Sequence, residues 1–109
     1  MDTDTTELFS LSGRRALVTG SSQGIGFALA QGLAKAGAQV ILNGRDASKL
    51  AAAKQVLRKS GAEVSCSRFD VTDGPAAQSA IDAVEREHGA IDILVNNAGM
   101  QNRSPLESF

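Results

Sequence analysis

The amino-acid sequence predicts an α/β fold, a doubly wound parallel sheet with strand order 3-2-1-4. First, short apolar runs alternate with helical patterns of about 12 to 15 residues, the rhythm of right-handed βαβ crossovers. Second, Gln39 to Asn43 (QVILN) is apolar without polar alternation, as a strand covered on both faces requires. Third, Val18 to Ala30 (VTGSSQGIGFALA) runs from a strand end through three glycines into a helix, the connection such sheets use at their ligand-binding edge.

Each element follows from local pattern. Arg15 to Thr19 (RALVT) reads as the first buried strand, and Ile25, Ala28, Leu29, Leu33 and Ala36 recur behind it at helical spacing. Gly32, inside that helix, reads as close packing to the sheet, and Gly37 closes it. Asp46 caps a second helix that turns Leu50, Ala53 and Leu57 inward and stops at Gly61. Val64 to Phe69 (VSCSRF) alternates apolar with polar residues, so it belongs at a sheet edge, with Cys66 as a small packing residue. Thr72, Asp73 and Pro75 open a third helix with Ala77, Ile81 and Val84 on one face. His88 continues that face beside the terminating Gly89 and takes a packed or helix-end role. Ile91 to Asn96 (IDILVN) completes the fourth strand, with Asp92 near its start. Without repeats or low-complexity linkers, residues 1–109 read as one domain.

Composition narrows the function classes. The 109 residues carry 11 Lys and Arg against 12 Asp and Glu, a formal net charge of -1, so there is no electrostatic footprint for nucleic acid or an anionic membrane. No run approaches the ~20 apolar residues of a bilayer span. The start, MDTDTTELFS, is acidic and unlike a secretory signal. A single cysteine cannot form an internal disulfide, which points to a reducing, cytoplasmic setting.

A strand running into Gly20, Gly24 and Gly26 and then a helix suits phosphate: the backbone approaches closely, and the free N–H groups and dipole of the helix attract an anion. In a sheet of order 3-2-1-4 the first and fourth strands flank the switch point. Thr19-Gly20 therefore converges on Asn96-Asn97-Ala98-Gly99. A P-loop is disfavoured, because Gly20 to Gly26 lacks Gly-Lys-Ser/Thr.

Thr19-Gly20-Ser21-Ser22-Gln23-Gly24-Ile25-Gly26 together with Asn96-Asn97-Ala98-Gly99 resembles the short-chain dehydrogenase/reductase family. Its G-x-x-x-G-x-G spacing differs from the general G-x-G-x-x-G fingerprint. The resemblance implies a Rossmann-type fold and NAD(P)-dependent oxidoreduction. It places Gly20, Ser21, Ser22 and Gln23 along a phosphate turn, and Gly24, Ile25 and Gly26 at the helix entry facing the pyrophosphate. It matches Asp70 and Val71 to an adenine-contacting pair, and Asn97, Ala98 and Gly99 to residues beside the ribose, with Asn96 stabilising the sheet end.

NAD sites carry an acid about 20 residues past the glycine turn to hold the ribose 2′-hydroxyl. Gly44 lies 20 residues past Gly24, and Arg45 follows it. A guanidinium holds a 2′-phosphate, whereas a carboxylate would repel it. The expected cofactor is thus NADP rather than NAD, with Asn43 and Ser21 adding neutral donors.

The resemblance also implies a Tyr-x-x-x-Lys proton donor, yet the chain contains no Tyr, so no catalytic residue and no metal ligand is assigned. The expectation is the N-terminal portion of an enzyme roughly twice as long, marginally stable or self-associating when isolated, inactive alone, and by resemblance tetrameric when complete. Leu42 to Asp46, Asn96 to Leu106 and the leader Phe9 to Gly13 are similar to the gluconate 5-dehydrogenase branch of the family. In that reading Gln101 and Arg103 help admit a small-molecule sugar acid, the alternative being that both are surface residues of a loop. A 3-oxoacyl-carrier-protein reductase shares most of these motifs. A truncated, non-catalytic nucleotide-binding fragment is the reading from a different class.

Overall fold

The computed structural model describes residues 10–98. Among these residues four strands and three helices alternate: β1 (Arg15–Val18), α1 (Gly24–Lys35), β2 (Gln39–Gly44), α2 (Ala47–Lys59), β3 (Val64–Arg68), α3 (Gly74–His88) and β4 (Ile93–Val95). The strands form one parallel sheet in the order β3-β2-β1-β4, as the alternation predicts.

The apolar strands serve two faces at once. Val18, Val40 and Leu42 pack on one face against Ala30 of α1 and Leu50, Ala53 and Leu57 of α2. Leu17 and Ile41, their neighbours in the pleat, pack on the other face with Phe69 and with Val84 of α3. A strand whose every side chain meets a helix has no place for polar alternation, which accounts for QVILN. The expected caps are present. The Asp46 carboxylate accepts from the Ser48 and Lys49 N–H groups, and the Asp73 carboxylate accepts from the Ala76 N–H.

Three local expectations require correction. Ile25, Ala28 and Leu29 do not form the inward stripe of α1: all three are exposed, Ile25 at 65%. The buried positions are Gly26 and Ala30, with Phe27, Leu33 and Ala34 packed against the core. The turn before α1 brings the start of the helix against Gly20, so no side chain fits at Gly26. Gly32 is exposed with nothing within 4 Å of a Cβ built on it, so close packing does not explain it. Cys66 is exposed on edge strand β3, although its Sγ reaches to 3.7 Å from the Leu50 carbonyl and burial pushes its pKa up.

β4 is shorter than Ile91 to Asn96. The Ile91 N–H donates to the Glu85 carboxylate, whereas Asp92 stays tied to β1, its N–H donating to the Arg15 carbonyl and its carboxylate accepting from the Arg15 N–H. Asp92 thus sits at the amino end of the sheet, far from the switch point. His88 is partly buried at the end of α3, with Nε2 3.2 Å from the Glu87 carboxylate. No helix among the described residues is long and apolar enough to cross a membrane.

Candidate functional site

The carboxyl ends of the strands converge on a cleft of about 650 Å³. The turn after β1 contributes Gly20, Ser22, Gln23 and Gly24, and the end of β2 contributes Asn43, Gly44 and Arg45. Phe69 to Thr72 follow β3, and Ala98 comes from the β4 side. The volume lies within the ~300–1,000 Å³ usual for small-molecule sites.

Buried polar side chains shape this edge. Ser21 is fully buried; its hydroxyl donates to the Val18 carbonyl and accepts from the Asn43 N–H. Asn43, 1% exposed, accepts from the Gly20 N–H through Oδ1 and donates through Nδ2 to the Ser67 and Phe69 carbonyls. One amide thereby joins the glycine turn, β2 and the end of β3. The neutral donors expected of Ser21 and Asn43 are therefore already committed inside the fold.

A second brace joins β1 to β4. The Thr19 hydroxyl donates toward the Val95 carbonyl and the Asn96 side-chain oxygen, and accepts from the Ala98 N–H. Asn97 is buried and donates through Nδ2 to the Gly20 carbonyl. This turns Asn97 into a strut beneath the turn, with Ala98 at the cleft wall. Gly26 makes the underside possible: an added Cβ would collide with the Gly20 carbonyl and meet Asn97 Nδ2 at 2.6 Å.

Above these braces the helix N-terminus stands open. Gln23 caps α1 in extended backbone without a side-chain hydrogen bond to the helix, and the first turn holds no acid. The leading N–H groups, for which no helical carbonyl exists, border the cleft unopposed by a carboxylate. Ile25 projects outward from the same turn and is absent from the cleft wall.

At the far side Arg45 is 77% exposed along its side chain and lies 3.7 Å from the Asp70 carboxylate. Hydrogen bonds from the Thr72 hydroxyl and N–H hold the Asp70 carboxyl below its ordinary pKa, and Arg45 adds to the effect. Val71 continues the wall. Gly44 carries no carboxylate into the site, and a Cβ there would stand 3.1 Å from Ser22 Oγ.

Of the residues singled out in the sequence, ten line the cleft, whereas Ser21, Gly26 and Asn97 support it from below and Ile25 faces outward. Gly99, Gln101 and Arg103 lie outside the described residues. Thr19, Phe69 and Thr72 were given no place in the site by the sequence, where Thr19 and Phe69 are strand ends and Thr72 opens a helix. A buried Thr ending the first strand and an Asp-x-Thr turn were the available signals.

This Rossmann-type sheet, with a glycine turn and a basic residue after its second strand, matches the family model for short chain dehydrogenases over residues 14–109. The chain belongs to that family. It is 55% identical over 103 residues to the gluconate 5-dehydrogenase of Gluconobacter oxydans, covering 94% of this chain and 40% of that protein. It is 45% identical to the 5-keto-D-gluconate 5-reductase of Escherichia coli, again with 94% of this chain covered and 41% of the relative. Among solved structures, a gluconate 5-dehydrogenase from Burkholderia cenocepacia in complex with NADP and tartrate superposes with a TM-score of 0.82 at 48% identity, over 96% of this chain and 41% of that one. A 3-oxoacyl-(acyl-carrier-protein) reductase from Agrobacterium tumefaciens with NADP bound gives 0.80 at 37% identity, over 98% and 43%. The chain thus spans about two fifths of the relatives it matches.

Proposed function

We propose that this chain is the NADP-binding part of a longer short-chain dehydrogenase that interconverts a hydroxyl and a carbonyl on a sugar acid, gluconate and 5-ketogluconate being the first substrates to try. The cofactor reading is carried by one observation: Arg45, at the rim of the cleft, follows a Gly at the place where NAD sites keep an acid. The donor set fits a dinucleotide. The open N-terminus of α1 suits the pyrophosphate, the walls at Asp70 and Val71 suit an adenine, and Arg45 suits a 2′-phosphate.

Bound NADP(H) would supply the hydride chemistry. The residues of this chain hold and orient it. Asn43 and Asn97 pin the turn through both the N–H and the carbonyl of Gly20, so the phosphate-facing amides are set before any ligand arrives. No Tyr occurs in the sequence, and no proton donor at the reacting oxygen is assigned to this chain. Support for the sugar-acid substrate is the 55% identity to a gluconate 5-dehydrogenase, against 37% to the oxoacyl reductase.

The direct test replaces Arg45 with Ala in the full-length protein. A charged hydrogen bond contributes about 1.5–3 kcal/mol, so NADPH should bind roughly 10- to 150-fold more weakly while NADH changes little. Equal losses for both cofactors would remove the assignment. Turnover of gluconate with NADP, or of an oxoacyl thioester with NADPH, separates the two substrate readings.

A further inference from the structure

We propose that Arg68 is a second specificity-determining residue for the 2′-phosphate, acting with Arg45; this rests on the NADP reading above. The parallel register pairs Gly44 with Arg68, so the last residue of β3 stands level with the end of β2 at the cleft rim. Arg68 Nε donates to the Arg45 carbonyl at 2.8 Å. That bond fixes the backbone from which the Arg45 side chain departs. It uses one of the five guanidinium donors, and the terminal nitrogens of Arg68 have no other partner among the described residues.

Arg68 borders a recess of about 290 Å³ together with Arg45, Phe69 and Asp70, the last three of which also line the main cleft. Charge balance gives the second arginine its purpose. Arg45 shares its charge with Asp70 at 3.7 Å, which lowers the net attraction it alone offers a phosphate dianion. The other nearby carboxylate, Asp46, faces the amides of α2. Arg68 supplies the positive excess, and its planar fork can hold the Arg45 carbonyl and an anion together. Arg68 is therefore both a positioning residue for Arg45 and a direct ligand of the phosphate.

The test is calorimetric titration of the full-length protein with adenosine 2′,5′-bisphosphate and adenosine 5′-monophosphate, which differ by the 2′-phosphate alone. Arg68→Ala should weaken the bisphosphate about 5- to 10-fold and leave the monophosphate within about two-fold, with a shallower salt dependence for the bisphosphate. Arg68→Lys keeps the charge but not the fork, and should recover part of the loss. Preserved discrimination in Arg68→Ala, with Arg45→Ala losing it, would overturn the role of Arg68 and leave the NADP reading intact. Preserved discrimination in Arg45→Ala and in Arg68→Ala alike would overturn the roles of both arginines. An equal loss of both ligands in Arg68→Ala, with no recovery in Arg68→Lys, would reduce Arg68 to a structural contact and overturn the proposal.

Discussion

At the amino edge of the sheet, Arg15 closes its surroundings: its N–H donates to the Asp92 carboxylate, Nε to the Gln39 side chain at 2.7 Å, and a terminal nitrogen to the Ala90 carbonyl. At the carboxyl edge, Ser21, Asn43 and Asn97 are buried, and their bonds run to backbone groups from beneath the glycine turn. One end spends its hydrogen bonds on sealing loops against each other. The other holds a turn rigid so that its upper face remains open. The same sheet thus has an inert end and a binding end, and the distinction lies in where small polar side chains are buried rather than in how many polar groups there are.

Substitution at the binding end should cost more and should also alter ligand binding. The largest effect is expected for Gly26→Ala, whose Cβ meets the Gly20 backbone, which cannot swing away, as well as the buried Asn97 side chain. Overpacking of this kind costs about 3 kcal/mol, seen as a lower urea midpoint, and NADPH affinity should fall with it. Asn43→Ala strands the Gly20 N–H and two carbonyls, at a cost of about 2 kcal/mol, with weaker NADPH binding as the turn loosens. Gln39→Ala at the inert end should cost no more than about 1 kcal/mol and leave binding unchanged. A binding loss in Gln39→Ala equal to that in Asn43→Ala would break the distinction.

The smallest expected effect is a pH dependence at Asp70. Its carboxyl is lowered in the fold, chiefly by the Thr72 hydrogen bonds, so the folded state binds fewer protons there than the unfolded chain does. The resulting stabilisation is present above the ordinary aspartate pKa and is lost as pH falls through the lower folded value. Urea midpoints measured between about pH 5 and 2 should therefore fall less steeply for Asp70→Asn than for the parent chain. Identical slopes would show that Thr72 does not favour the charged carboxylate.

The legible parts of the fold were those with a local cause. β2 showed itself because both its faces are covered, and α2 because Asp46 caps it and Leu50, Ala53 and Leu57 repeat at its spacing. The face of α1 was misread because hydrophobicity favours Ile25 and Leu29, whereas the buried positions are Gly26 and Ala30, the first held to glycine by the Gly20 carbonyl. The site was legible in residue type and spacing, from Gly20 through Arg45 to Ala98. Which atoms were already bonded was not: Ser21 and Asn43 are polar residues beside a turn until the fold directs their hydrogen bonds inward. Arg68 was hidden for a related reason, since only the β2–β3 register brings it to Arg45.

The most direct measurement is the change in backbone amide chemical shifts when NADP is added to the full-length protein. The account predicts the largest changes at Gly20, Ser22, Gln23, Gly24, Arg45 and Asp70, with Arg15, Gln39 and Asp92 unmoved and NADH producing a weaker response at Arg45. Shifts concentrated at the amino edge, or an Arg45 response indifferent to the 2′-phosphate, would contradict it.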